Sequence, residues 1–311
     1  MYGFDLNTIM NAAYVFGVLM LSLMDFSDTS DDDDSDNDTP PDTPDIVPLD
    51  PFLGTDGADN ILAEDDTPFD YSLGEGDDTL VAGAGDDEIR GESGNDSIDA
   101  GGGNDQVILG AGDDLALGGE GSDSITGSSG NDTVFGGDEG DLLRGASQDD
   151  SLLGEQGDDT LSGDDGNDVA DGGSGADSVL GGTGNDTLSG GRGTDNEADG
   201  VDTLDGGDGD DDLTLRAGDQ GTGGSGADTF RFDTLPSDTE DDPTGLMQVT
   251  DFNASEDRLV IEFDAETEPG DLTVTALEDG SGSIISLGGV ELAQVTSTDA
   301  IDPESIELRG V

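Results

Sequence analysis

Through the middle of the chain one apolar side chain returns every nine residues: Leu80, Ile89, Ile98, Val107, Ala116, Ile125, Val134, Leu143, Leu152, Leu161, Ala170, Val179 and Leu188. Each is the centre of a triplet that follows a glycine-rich six-residue turn, as in Gly181-Gly182-Thr183-Gly184-Asn185-Asp186-Thr187-Leu188-Ser189. A fixed short period predicts a solenoid, whose repeats bury their apolar faces only by stacking on one another. The triplets read as three-residue strands, with the middle side chain inward and its neighbours outward. One modest side chain per nine residues makes a thin core. At about 25 cal/mol per Å² it hardly offsets an ordering cost of about 1–2 kcal/mol per residue, so something besides apolar burial must hold the coil.

A second register, also of nine, is acidic. It runs Asp78, Asp87, Asp96, Asp105, Asp114, Asp123, Asp132, Asp141, Asp150, Asp159, Asp168, Asp177 and Asp186, with Asp59, Asp202, Asp211 and Asp228 in matching phrases outside it. Glycines bring backbone carbonyls close to a common point, which residues with a Cβ resist, and each aspartate adds a hard anionic oxygen. Ligation by oxygen alone suits calcium. With no His and no Cys in the chain, soft-metal sites and a disulfide framework are both excluded. Seven basic residues against 78 acidic ones give a formal charge of -71, which argues against nucleic acid or an anionic membrane face and makes cations the natural partners.

The phrase Gly-Gly-x-Gly-x-Asp-x-apolar-x, carried over residues 54–231, resembles the nonapeptide of the repeats-in-toxin (RTX) family. The resemblance implies an all-β fold, a right-handed parallel β-roll with two repeats per rung and calcium between neighbouring turns on each edge. Its ligands would be the seventeen aspartates above and the carbonyls of the fourth-position glycines Gly85, Gly94, Gly103, Gly112, Gly121, Gly130, Gly157, Gly166, Gly175 and Gly184. Thirteen turns shared between two edges leave about eleven gaps for ions, which would bring the formal charge to about -49. Affinities on the order of 0.1–1 mM would suit an extracellular module, and without calcium such an Asp/Gly tract is expected to be disordered. Two repeats per rung also set Leu117, Phe135 and Leu153 side by side on one outer face, with Leu115 beside them. Contiguous apolar patches are seldom left bare, so the C-terminal strands or the N-terminal apolar segment are expected to cover this stripe. A role in association is the alternative.

Several units depart from the pattern. Glu139 and Gln148 replace the fourth-position glycine, Ala116 and Ala170 thin the core, and Glu197 interrupts the register before Asp202 restarts it. Residues 63–71 and 215–222 have the length of a repeat without its glycines and aspartate. Weak sites are expected near these units, and residues 136–153 should be the least protected stretch.

Outside the repeats the chain divides further. Residues 1–26 hold an apolar run at 9–24 that is about 24 Å long as a helix, short for a bilayer and without a preceding Lys or Arg. It reads either as a tether or atypical signal, or as a helix buried in self-association or against the roll. Residues 27–52 form an extended acidic, proline-rich linker. From 232 to 311 the reading is a β-rich cap, with strands at Leu246–Phe252, Arg258–Phe263, Leu272–Leu277, Ser283–Leu287, Val290–Val295 and Ser305–Val311. Turns fall at Asp279-Gly280 and Gly288-Gly289. The segments Gly226-Ala227-Asp228-Thr229-Phe230, Val249-Thr250-Asp251-Phe252 and Glu256-Asp257-Arg258-Leu259 resemble those that close the roll in serralysin-type proteases, although the chain has no protease domain. That resemblance implies an uncleaved C-terminal signal read by a type I exporter.

The functional expectation is a secreted or surface-held calcium-binding repeat protein with structural or adhesive duties and no catalysis, since His, Cys and a zinc-protease motif are all missing. The alternative is an accessory module of a polysaccharide-modifying, ice-binding or surface-binding activity. Thr183 and Asn185 fit the ice-binding turn pattern only once.

Overall fold

The computed structural model describes residues 52–63, 67–192, 200–234, 245–266 and 268–311. The apolar run at 9–24, the acidic stretch 28–51 and the interruption at Glu197 lie outside the described residues.

Consecutive strands alternate between two sheets, one of 14 strands that starts at Phe52–Leu53 and one of 12 that starts at Asn60–Leu62. Within each sheet the coil strands are parallel and pair with the strand eighteen residues away: Val134 sits between Ala116 and Leu152, and Leu143 between Ile125 and Leu161. This is the expected parallel solenoid, with two nonapeptides per rung and rungs about 4.8 Å apart. All thirteen eighth-position side chains point into the space between the sheets and are at most 1% exposed.

The strands are longer than the predicted triplets. Most run for six residues, as in Leu115–Glu120 and Thr133–Asp138. Pairing follows the triplet, skips the first glycine of the next repeat and resumes, so that Phe135 pairs with Leu117 and then Gly137 with Gly119. The turn glycines therefore belong partly to the sheets. The second-position residue carries a positive φ, 111° at Gly119 and 125° at Gly137, which swings the chain around the edge without breaking the backbone ladder.

Past the undescribed residues 193–199 the coil resumes in register: Thr203–Asp208 pairs with Ser178–Thr183 at an offset of 25 rather than 18. Parallel pairing continues beyond Phe230 through Met247–Val249, Arg258–Phe263 and Glu307–Gly310. An antiparallel meander of Leu272–Ala276, Gly282–Leu287 and Val290–Thr296 ends the larger sheet. Its turns are the predicted ones, with positive φ at Gly280, Gly288 and Gly289. Phe230, Phe232, Met247, Phe252, Ile261 and Ile285 fill the last rungs.

Leu117, Phe135 and Leu153 do adjoin on the outer face of the 12-stranded sheet. The C-terminal strands do not cover them, and Leu117 remains 37% exposed. Those strands continue the backbone ladders at the end of each sheet, where unpaired N–H and C=O groups would otherwise face water.

Candidate metal centre

The sixth-position aspartates form two columns, one on each edge. In the first, the backbone N–H of each aspartate donates to Oδ1 of the aspartate one rung on, at 2.7–3.0 Å, in the order Asp59, Asp78, Asp96, Asp114, Asp132, Asp150, Asp168, Asp186, Asp211, Asp228. The second follows the same rule through Asp87, Asp105, Asp123, Asp141, Asp159, Asp177 and Asp202. All seventeen aspartates predicted from sequence thus stand in the two columns.

The other carboxylate oxygen sets up the chemistry. Oδ2 of Asp78, Asp96, Asp105, Asp114, Asp123, Asp132, Asp141, Asp150, Asp159, Asp168, Asp186 and Asp211 is buried with no hydrogen-bond partner. A buried, unpaired anionic oxygen is costly, and here the cost recurs rung after rung. Beside most of these oxygens lies the first glycine of the turn, and a Cβ there would fill the space the oxygen faces; Asp78, Asp105 and Asp114 have Leu73, Ala100 and Leu109 at that position instead. At Gly118 the Cβ would come 2.3 Å from Asp123 Oδ2 and 2.4 Å from the carbonyl oxygen of Gly136 on the next rung. The same pair of oxygens closes on Gly154 (2.2 Å from Asp159 Oδ2 and 2.2 Å from the Gly172 oxygen) and on Gly206 (2.3 Å from Asp211 Oδ2 and 2.6 Å from the Gly223 oxygen). Among the described residues no three carboxylates gather at one point, so any ion must draw much of its shell from backbone carbonyls, as calcium readily does.

Fourth-position carbonyls are stacked as well. Gly94, Gly103, Gly112, Gly121, Gly130, Gly157, Gly175 and Gly184 have φ between 115° and 145°, and a Cβ on Gly184 would fall 1.5 Å from the Gly166 oxygen. The Gly85 oxygen lies likewise against Gly103, at 2.5 Å. Glu139 and Gln148 keep their carbonyls in line, beneath Gly157 and Gly166, by taking φ of 71° and 77° instead. Glu139 also adds a contact, since its Oε2 accepts the Gly121 N–H at 3.0 Å. In regular turns the equivalent amide donates to a third-position carbonyl, as Gly112 does to Ser129.

In the chain without metal, burial pushes these carboxyls up, to about 7 at Asp105, Asp141 and Asp150 and to about 6 at Asp96, Asp123, Asp132, Asp159, Asp186 and Asp211. The N–H from the preceding rung opposes the rise and carboxylates on neighbouring rungs reinforce it where they lie close. A divalent cation between rungs would reverse this balance.

Three features escaped the sequence reading. Residues 215–222 do contain a column aspartate, Asp219, whose Oδ1 accepts the Asp202 N–H; missing glycines had hidden it. Asp257 extends the first column, accepting the Asp228 N–H. A second ladder runs the opposite way along the fifth positions: the N–H of Asn95 donates to Asp77, that of Asn104 to Asp86, that of Asn131 to Asp113 and that of Asn167 to Asp149. The recurrence of Asn or Asp just before the sixth-position aspartate was the signal for it.

Fold and oxygen columns together define a metal-binding parallel β-solenoid. Residues 73–107, 108–143, 135–170, 171–196 and 198–219 match the family described as RTX calcium-binding nonapeptide repeat. No curated protein matches the chain. Solved structures similar to it include a hyperactive, Ca2+-dependent, beta-helical antifreeze protein from an Antarctic bacterium (19% identity over 68% of this chain and 85% of that one, TM-score 0.29). The AlgE6R3 subunit of the Azotobacter vinelandii mannuronan C5-epimerase is another (24%, 54% and 78%, TM-score 0.22). A third is the extracellular lipase LipA of Serratia marcescens (17%, 61% and 40%, TM-score 0.22).

Proposed function

We propose that this protein is an exported, non-catalytic scaffold that folds when it meets calcium outside the cell. The observation that carries the reading is the row of buried, unpartnered Asp Oδ2 atoms, many of which share their space with a carbonyl of the next rung. The ions would be held by the column aspartates together with turn carbonyls, about one per buried carboxylate oxygen. Each adds two positive charges to a chain of formal charge -71, so ligand linkage and relief of self-repulsion favour folding together. Low calcium inside the cell keeps the chain extended for a type I exporter, and higher calcium outside folds it. Among the described residues no helix is long and apolar enough to cross a membrane, and the chain has neither His nor Cys for acid–base or nucleophilic catalysis. Far-ultraviolet circular dichroism tests the reading: the β signal should appear between chelator and about 10 mM calcium. An identical spectrum in both would refute it.

A further inference from the structure

The aspartates that end the columns differ from those inside them. Asp219 closes the second column: its Oδ1 accepts the Asp202 N–H at 3.1 Å, and its Oδ2 accepts the N–H of Arg216, three residues back in its own turn, at 2.6 Å. The turn is reciprocal, because the Asp219 N–H donates to the Arg216 carbonyl at 3.1 Å. Asp257 ends the first column in the same manner. Its Oδ1 takes the Asp228 N–H at 3.1 Å and its Oδ2 the N–H of Asn253, four residues back, at 2.7 Å. At the other end of that column, Asp59 Oδ2 accepts the Thr55 N–H at 2.7 Å and the Thr55 hydroxyl at 3.1 Å. Three turns of unlike sequence thus bend an N–H of their own onto the oxygen that interior turns leave buried and unpaired.

Resting on the calcium reading above, we infer that these backbone N–H groups stand in for ions: Asp59, Asp219 and Asp257 are protein-capped ends that take no calcium, although each occupies the ligand place of its column. An N–H aimed at a carboxylate oxygen supplies the partial positive charge that oxygen requires. It also points a donor where a cation would have to sit. In the interior turns of Asp123 and Asp159 no N–H of the turn reaches Oδ2, and the space beside Gly118 and Gly154 is shared with a carbonyl of the next rung.

Native mass spectrometry of the full chain in calcium reads the ion number directly. Asp150→Asn, in an interior turn, should carry one ion fewer than the unaltered protein. Asp219→Asn and Asp257→Asn should carry the same number as the unaltered protein while needing more calcium to fold, since each loses a charge-assisted bond. As the two lie in different columns, either variant gives a reading should the other fail to fold. Loss of an ion from a capped variant that equals the loss in Asp150→Asn would overturn the inference and leave the calcium reading intact. A chain that takes up no calcium at all would overturn both.

Discussion

The coil and the closing segment are continuous in backbone pairing yet stabilised by different physics. Most nonapeptides of the coil bury one aliphatic side chain and one carboxylate, as Val134 and Asp132 are, both at most 1% exposed; Leu73, Ala82, Ala100 and Leu109 add a second apolar side chain in the first repeats. The last rungs bury Phe230, Phe232, Met247, Val249, Phe252, Leu259 and Ile261 within a short stretch, with Phe230 edge-on to Phe252 at 6.2 Å. Each large side chain of that kind contributes about 1.5–3 kcal/mol on burial, while an unpaired buried carboxylate costs free energy until a cation meets it. One region therefore answers to calcium and the other to ordinary hydrophobic packing. The three capped turns mark where the first kind of stabilisation stops.

The largest expected effect separates the two directly. Hydrogen exchange followed as calcium is lowered should show the coil amides of 73–210 losing protection first and together, with the buried amides of 247–295 protected to lower calcium. Loss of both at the same calcium concentration would erase the distinction.

Much of this was legible in the sequence because the period is rigid: nine residues fix which side chain faces the core, which lies at the edge and which glycine bends. Leu80 to Leu188 and Asp78 to Asp186 fall where their register puts them. What escaped was set by backbone bonds made across rungs. Asp219 could not be seen as a column member because its turn reaches the same place with Arg216-Ala217-Gly218 instead of a glycine-rich run, and the second oxygens of Asp59, Asp219 and Asp257 differ from the rest through local donors of their own turns. The C-terminal strands continue the open ladder ends and do not cover Leu117, and the N-terminal apolar segment, the other expected cover, lies outside the described residues.

Glycine substitutions sharpen the comparison next. Gly118→Ala places a Cβ 2.3 Å from Asp123 Oδ2 and 2.4 Å from the Gly136 oxygen, so it should cost about 1–3 kcal/mol from overpacking and block ion binding in that turn. In the closing segment Gly280 has φ of 73° with nothing near its Cβ direction, and Gly280→Ala should cost only about 1 kcal/mol. Thermal melts in calcium, combined with ion counts, check both; a comparable loss of ions in the two variants would contradict the assignment of the first glycines.

Acidification should mimic calcium in part. Without metal the folded carboxyls titrate well above the ordinary 3.8, at about 7 for Asp150 and about 6 for Asp132. The folded coil therefore binds more protons than the unfolded chain between about pH 4 and pH 7, and its stability falls as pH rises through that window. In chelator the β signal should accordingly grow as pH is lowered from about 7 to about 5, with little change in the protection of Phe252 and Ile261. A chelated coil equally unfolded at both pH values would show that burial does not hold these groups neutral.

The smallest effect concerns the two turns whose fourth residue is not glycine. Glu139 and Gln148 sit at φ of 71° and 77°, a conformation that costs a residue with a Cβ about 1–2 kcal/mol relative to glycine. If that were all, replacing either with glycine would stabilise the coil equally. At Glu139, however, the carboxylate accepts the Gly121 N–H, and a hydrogen bond to a charged group contributes about 1.5–3 kcal/mol. The two terms nearly cancel, so Glu139→Gly should leave the melting midpoint in calcium close to its starting value, whereas Gln148→Gly should raise it by the equivalent of about 1 kcal/mol. Equal gains from both substitutions would mean that the Glu139 contact contributes nothing and that both residues are interruptions of the repeat, as their sequence alone suggests.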